Sequence, residues 1–270
     1  MKLSYRPDID GLRAVSVLLV LLYHVDFKVI SGGFIGVDVF FVISGYLITS
    51  ILLAELETNK FSFAKFYERR IKRILPPFYL VVAVTLVLGY ILLLPNDFNK
   101  LSDSALFSSL FLANMYFWKS TGGYFNSSTD ETPLLHLWSL SVEEQFYFIW
   151  PVALIIFLKF FSKRHLIIVS TIALVFLIGL SEWAAINKPN AAYYFLPTRA
   201  GELLVGALSA VFMIQGKELV GIRATVASWL GLFLIVGSGL ILTEHSTFPG
   251  FNAYFACIGA ADRKSTRLNS

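Results

Sequence analysis

The chain has a single cysteine and little charge. Cys257 is alone among 270 residues, so an intramolecular disulfide framework and a cysteine-rich metal site are both excluded. Charged residues make up 15% of the chain, and the sequence contains no phosphate-binding glycine loop, zinc-ligand spacing or nucleic-acid-binding motif. We therefore expect no metal and no nucleic-acid partner.

Apolar residues dominate instead. The hydrophobic fraction is 56%, with 25 phenylalanines, and the mean hydropathy is +0.69. These residues come in long blocks, which is typical of chains that cross a membrane repeatedly. The sequence predicts an all-α fold, a polytopic transmembrane helix bundle.

About eight blocks are long enough to be spans of about 20 residues each. A shorter block, 104–118, is predicted to form an interfacial or re-entrant helix in an external loop. The predicted spans are 10–30, 34–54, 76–94, 136–158, 166–183, 198–214, 224–243 and one that begins near Phe251.

The basic residues predict the orientation of these spans. With a cytoplasmic N-terminus, most lysines and arginines fall in cytoplasmic loops, as the positive-inside rule requires. The C-terminal string DRKSTRLNS follows an apolar run that ends at Ala261 and resembles a translated sequencing adapter. We therefore expect a membrane domain over residues 1–261, incomplete at its C-terminus, and a non-native tail over 262–270.

The first span contains a cation and a titratable ring. Arg13 and His24 are eleven residues apart, or about 16 Å along a helix. One end of this helix is suited to hold an anion while the other reacts. The alternative is an interfacial histidine whose ring bonds to Asp26 or to a backbone carbonyl.

Two carboxylates are predicted to lie near His24. Glu143, followed by Glu144, is at a similar predicted depth, and ionisable groups inside a membrane usually mark a functional interior. Asp38 follows the Gly32–Gly33 turn, where it would orient the imidazole. The alternatives are a structural pair with another helix for Glu143 and a helix cap for Asp38.

A basic cluster precedes Pro76 and Pro77. Arg69, Arg70 and Arg73 are spaced so that two guanidinium groups share a helix face, a geometry suited to phosphate, and Arg13 would join them. The alternative is a topology signal that contacts anionic lipids. Farther along the chain, we predict an Arg199–Glu202 pair and a packing face at Gly206 and Ala210.

Several stretches together resemble a known family. The chain is identified as a member of the integral membrane acyltransferase-three family, over essentially residues 5–261. The similar stretches are YRPDIDGLRAVSVLLVLLYH, GGFIGVDVFFVISGYLI, FYERRIKRILPPFY, LLHLWSLSVEEQFYFIWP and LPTRAGELLVGALSA.

The resemblance implies roles for individual residues. His24 would be essential to acyl transfer and Glu143 would be the invariant acid of a Ser-x-Glu stretch. Asp38 is a further catalytic candidate, from our own interpretation of the sequence. The cofactor-binding candidates, on the cytoplasmic side, are Arg13, Arg69, Arg70 and Arg73.

The resemblance also implies a reaction and a location. The donor would be cytoplasmic acyl-CoA, most commonly acetyl-CoA, and the acceptor a hydroxyl of an extracytoplasmic or lipid-linked glycan such as O-antigen, lipopolysaccharide, exopolysaccharide or peptidoglycan. Family members have about ten spans of about 20 residues in the bacterial inner (cytoplasmic) membrane, among membrane lipids. Some carry a fused or separate extracytoplasmic hydrolase-like domain.

Two other function classes fit the composition. A secondary transporter of a polar solute also needs buried His, Glu and Asp residues near the midplane. A non-catalytic scaffold or polysaccharide-binding membrane protein is the third class. The set of motifs favours the acyltransferase over both.

Overall fold

Helices form all the regular secondary structure in the part of the chain that the structure describes. This computed structural model describes residues 7–25, 27, 29–125, 132–214 and 221–265. No strand occurs in these ranges, which confirms the predicted all-α class. The helices are α1 (Pro7–His24), α2 (Gly36–Glu57), α3 (Phe63–Leu92), α4 (Pro95–Ser109), α5 (Ala113–Ser120), α6 (Leu137–Phe160), α7 (Lys163–Asn187), α8 (Pro189–Tyr194), α9 (Leu196–Ile214), α10 (Ile222–Ile241) and α11 (Gly250–Ser265).

Each predicted span overlaps one of these helices. Among the described residues, five helices are long and apolar enough to cross a membrane, namely α2 with its preceding turn, α3, α6, α7 and most of α9. Thr225–Ile241, within α10, is a shorter apolar helix. Large apolar side chains are exposed along α3, α7 and α10, as expected where a helix faces lipid. The total of eight spans stays a prediction.

Helix α2 lies at the centre of the bundle. Its sequence is apolar on every side, which is typical of a fully buried helix. It packs most closely on α9, where a Cβ atom on Gly45 would lie 1.8 Å from the Leu203 carbonyl oxygen. A Cβ on Gly206 would lie 1.9 Å from the Val42 carbonyl oxygen. The two backbones are therefore in contact, which confirms the packing face predicted at Gly206, next to the buried Ala210.

Helix α3 begins well before the predicted span. It runs without interruption through Pro76 and Pro77, and its 30 residues measure about 45 Å, more than the hydrocarbon thickness of about 30 Å. Prolines are tolerated in membrane helices because neighbouring groups take over the freed hydrogen bonds. The basic cluster therefore lies on the first turns of α3 rather than in a loop.

The predicted helix over 104–118 is instead two helices, α4 and α5. They meet at Phe111, whose φ of 54° is in the left-handed region. The Gln145 side chain of α6 donates hydrogen bonds to the Phe111 carbonyl (2.9 Å) and to Asn114 Oδ1 (2.9 Å). This tertiary contact explains why the local apolar pattern predicted one element where the chain forms two.

Contacts between helix ends show that neighbouring helices alternate in direction. At one end, Arg69 pairs with Glu55 at 2.6 Å and Lys163 pairs with Glu57; we call this the arginine end. At the other end, the Gly32 amide donates to the Gly239 carbonyl at 2.9 Å. This second end contains His24, and we call it the histidine end.

Candidate active site

His24 is the last residue of α1, and its ring is oriented by its own helix. Its Nδ1 atom lies 2.8 Å from the Val20 carbonyl oxygen. Because a carbonyl oxygen only accepts, Nδ1 carries a proton, and in the neutral ring the lone pair is on Nε2. This is the backbone partner predicted as one alternative, while Asp26, the other, lies outside the described residues. The side chain is exposed, so Nε2 is available for chemistry.

A second imidazole approaches His24 at the histidine end. His136 lies immediately before α6. Partial burial lowers the pKa of His136, a backbone contact with Pro133 raises it, and the charge of His24 lowers it further. The lowered pKa favours the neutral form of the His136 imidazole.

The structure does not bring Glu143 to His24, so the predicted contact is wrong. Glu143 accepts hydrogen bonds from the hydroxyl groups of Ser44 on α2 and Tyr147 on its own helix. The prediction compared only the depths of Glu143 and His24 in the membrane and not their positions around the bundle. In the structure α6 packs on α2, and Glu143 contacts Ser44 of α2. The alternative that Glu143 has a structural partner on another helix agrees with this contact.

Glu144 pairs with one of the motif arginines. Arg70 Nη2 lies 2.9 Å from Glu144 Oε1, and the two side chains are 19% and 9% exposed. The Arg70 guanidinium also lies 3.5 Å from the centre of the Tyr147 ring, a cation–π arrangement. We call Ser44, Arg70, Glu143, Glu144 and Tyr147 the carboxylate cluster. It joins α2, α3 and α6 inside the bundle.

The other motif arginines are closer to water. Arg69 pairs with Glu55, and Arg13 pairs with Asp10 at 3.0 Å. Arg73 is exposed, and no ion pair is found for it in the described part of the chain. The described residues show no contact between Arg13 and the α3 arginines, so the four-arginine site is not assembled. Arg73 remains open to an anion.

Asp38 does not contact His24, so that prediction is also wrong. It is fully buried and pairs with Arg199 Nη1 at 2.9 Å. Glu202 binds the same atom at 2.6 Å, which confirms the predicted Arg199–Glu202 pair. A short turn after Gly32 starts α2 so that Asp38 faces α9 rather than the end of α1.

Aromatic rings surround the Asp38–Arg199–Glu202 triad. The rings of Phe41, Trp138, Tyr193 and Phe248 have their centres 5.2 to 5.5 Å from the Arg199 guanidinium carbon. Among the described residues, Arg199 Nε and Nη2 lack a hydrogen-bond partner. The three charged side chains are fully buried, each 0% exposed. We infer that the triad stabilises the packing of α2 against α9.

Sequence reasoning missed several residues at these sites. Ser44, His136 and the pairing of Arg70 with Glu144 depend on tertiary contacts. Tyr147 had a usable signal, because it follows Glu143 by one helical turn, a spacing at which side chains on a helix meet. No group of three His, Cys, Asp or Glu side chains suited to a metal ion occurs within the described residues.

Comparison with known proteins decides the family. The family model described as "Acyltransferase domain" matches residues 6–266 of the chain. The chain belongs to the acyltransferase-three family. His24 is therefore part of a membrane-embedded acyltransferase domain.

Several named relatives are similar over most of the chain. The peptidoglycan O-acetyltransferase OatA of Listeria monocytogenes is 37% identical over 83% of this chain and 38% of its own length. The O-acetyltransferase OatA of Staphylococcus aureus is 35% identical over 86% of this chain and 41% of its own length. An uncharacterized protein of Haemophilus influenzae is 37% identical and is covered over 95% of its length. No solved structure matches the chain.

Proposed function

We propose that this acyltransferase is a membrane O-acetyltransferase. It transfers an acetyl group from cytoplasmic acetyl-CoA to a hydroxyl of an extracytoplasmic glycan, with peptidoglycan as the first candidate. The observation that carries the proposal is the similarity, along nearly the whole chain, to relatives named O-acetyltransferases. The chain spans about two fifths of the length of those relatives. We place it in the bacterial cytoplasmic membrane with its N-terminus inside.

The arginine end supports a site for the coenzyme A phosphates. Guanidinium groups bind phosphate through paired hydrogen bonds, and Arg73 is exposed beside Arg69 on one face of α3. Arg70 already holds Glu144. We propose that Arg69 and Arg73 make the main donor contacts and that Arg70 fixes α3 to α6. Arg13, about 16 Å from His24 along α1, would accompany the pantetheine arm towards the histidine end.

The His24 ring supports two routes for the transfer. In the first, Nε2 takes the proton of the acceptor hydroxyl, the oxygen attacks the thioester carbonyl, and the C–S bond breaks. The departing thiolate then receives the proton. In the second, Nε2 attacks the carbonyl, the C–S bond breaks and the thiolate leaves. The acceptor hydroxyl then displaces the acetyl group from Nε2, and its proton passes to the thiolate. Both routes need the neutral tautomer with its proton on Nδ1, which is the tautomer that the bond from Nδ1 to Val20 selects.

The two candidate carboxylates act differently in this proposal. Glu143 and Asp38 lie against other helices rather than against His24. We propose that both support catalysis by position, Glu143 through the carboxylate cluster and Asp38 through Arg199. The backbone carbonyl of Val20 takes the orienting role that the sequence assigned to a carboxylate.

A secondary transporter is the alternative. The buried charged groups of the carboxylate cluster favour it, because transporters place such groups along a solute path. The two functions differ in whether an acetyl group becomes bound to the acceptor. A transporter moves solute without making an ester bond.

Substitution of His24 tests the proposal. The chain is reconstituted in vesicles with labelled acetyl-CoA and a soluble peptidoglycan fragment, and ester-linked label on the fragment is measured. We expect His24→Ala to reduce transfer by about 100-fold or more, the range of general acid–base catalysis. His165→Ala is the matched control, since His165 is an exposed histidine at the start of α7. Undiminished transfer by His24→Ala would remove His24 from the reaction.

A further inference from the structure

A cleft of about 190 Å³ opens at the histidine end, next to the last turn of α1. One wall is formed by Tyr23, Phe27 and Ser31, at the end of α1 and in the turn that follows. The opposite wall is formed by Thr243, Glu244 and His245, just after α10. Tyr23 donates a hydrogen bond across the cleft to Glu244 Oε1 at 2.9 Å. Neither the carboxylate cluster nor the arginines extend to this place.

Hydrogen bonds fix the two walls to each other. The Ser31 hydroxyl donates to the Leu242 carbonyl at 2.8 Å, and the Gly32 amide donates to the Gly239 carbonyl at 2.9 Å. A Cβ atom at Gly32 would lie 2.7 Å from the Ser238 carbonyl oxygen, so the backbones touch. The cleft is therefore preformed, and little ordering is needed to fill it.

The lining suits an uncharged polyhydroxyl ligand. Aromatic rings present a negative face that attracts the polarised C–H groups of a sugar ring, and Tyr23 and Phe27 supply two such rings. Within the described residues Glu244 is bonded through Oε1, to Tyr23, so Oε2 is available to accept from a sugar hydroxyl. The negative charge of Glu244 disfavours the phosphates of coenzyme A.

The cleft is also close to the His24 ring, because Tyr23 lines the cleft and contacts His24. The Tyr23 ring meets the His24 ring edge-on, with centres 5.3 Å apart. We propose that the cleft binds the carbohydrate acceptor and presents one of its hydroxyl groups to His24. This inference rests on the proposed acetyltransferase function and adds the place and the chemistry of its acceptor site.

Acceptor kinetics test the proposal. Acetyl transfer by the reconstituted chain is measured at increasing concentrations of a soluble peptidoglycan fragment, for wild type and for Glu244→Gln. Because hydrogen bonds to charged groups are the stronger ones, we expect the acceptor KM to rise by about 10-fold or more. The KM for acetyl-CoA should not change. Tyr23→Phe, which keeps the ring and loses the hydroxyl that orients Glu244, should raise the acceptor KM less.

The control and the contrary outcomes separate this inference from the proposed function. Asp97→Asn removes a carboxylate from an exposed ion pair on α4 and should leave both KM values unchanged. Equal acceptor KM values for wild type, Glu244→Gln and Tyr23→Phe would overturn the acceptor site. Direct binding of the fragment is measured by calorimetry in parallel. Glu244-dependent binding without any acetyl transfer by wild type would overturn the acetyltransferase and keep the cleft as a glycan site.

Discussion

At the scale of single residues, Arg199 and Arg73 represent two kinds of charged side chain in this protein. Arg199 is enclosed by two carboxylates and four rings, with no exposed surface. Arg73 lies on the outside of α3 with no ion pair among the described residues. The first kind stabilises the fold and the second is open to a ligand. The sequence predicted an ion pair for Arg199 and an anion site for Arg73, but it did not give the exposure of either side chain.

Removal of the Arg199 guanidinium should destabilise the fold strongly. Arg199→Ala leaves Asp38 and Glu202 buried without a cation, and breaking a buried ion pair in this way costs about 3 to 5 kcal/mol. The measurement is thermal unfolding of the purified chain in detergent. Lys100→Ala, which breaks an exposed pair with Asp97, should cost about 1 kcal/mol or less. Equal effects of the two substitutions would contradict the assigned role.

At the scale of helices, the predicted elements were correct in kind and less accurate in extent. Long apolar blocks identified every span-length helix, because membrane helices must be apolar over their whole width. The start of α3 and the break between α4 and α5 were missed. Both depend on contacts from elsewhere in the chain, such as that of Gln145 with Phe111. Likewise, Arg13 and His24 were correctly placed on one helix, whereas the contacts of Glu143 with Ser44 and of Asp38 with Arg199 across the bundle were not predictable.

The contact between α2 and α9 gives a prediction at this scale. Gly206→Ala would place a methyl group against the Val42 carbonyl oxygen, so the helices must move apart, and overpacking of this kind costs about 1 to 3 kcal/mol. Gly179→Ala on α7 is the matched control, because a Cβ atom there meets nothing within 4 Å. We expect a lower unfolding temperature for the first variant and an unchanged or higher one for the second. A neutral Gly206→Ala would show that the backbones are not in contact.

At the scale of the whole molecule, the two ends of the bundle carry different chemistry. The arginine end presents cations, which we propose bind a phosphate-bearing donor, and the histidine end presents a ring and a cleft. The proposed reaction requires these ends to face opposite sides of the membrane. The alternation of helix directions is a structural observation, but the side that each end faces is a prediction from the positive-inside rule.

Cysteine labelling tests that orientation. Lys60, between α2 and α3, and Lys100, on α4, are both exposed at opposite ends of the bundle, and the native Cys257 is buried. A membrane-impermeant maleimide applied to intact cells should label Lys100→Cys and not Lys60→Cys. After permeabilisation both should react. The reverse pattern would place the arginine end outside and rule out a cytoplasmic donor.

Gln145 connects the junction of α4 and α5 to the middle of α6. It is the next residue after Glu144 in α6, and its amide grips the junction of α4 and α5. A displacement of that junction would therefore act on the residue next to Glu144, which pairs with Arg70. An acceptor polymer or an adjoining domain that displaced α4 and α5 would therefore act, through Gln145, on the carboxylate cluster.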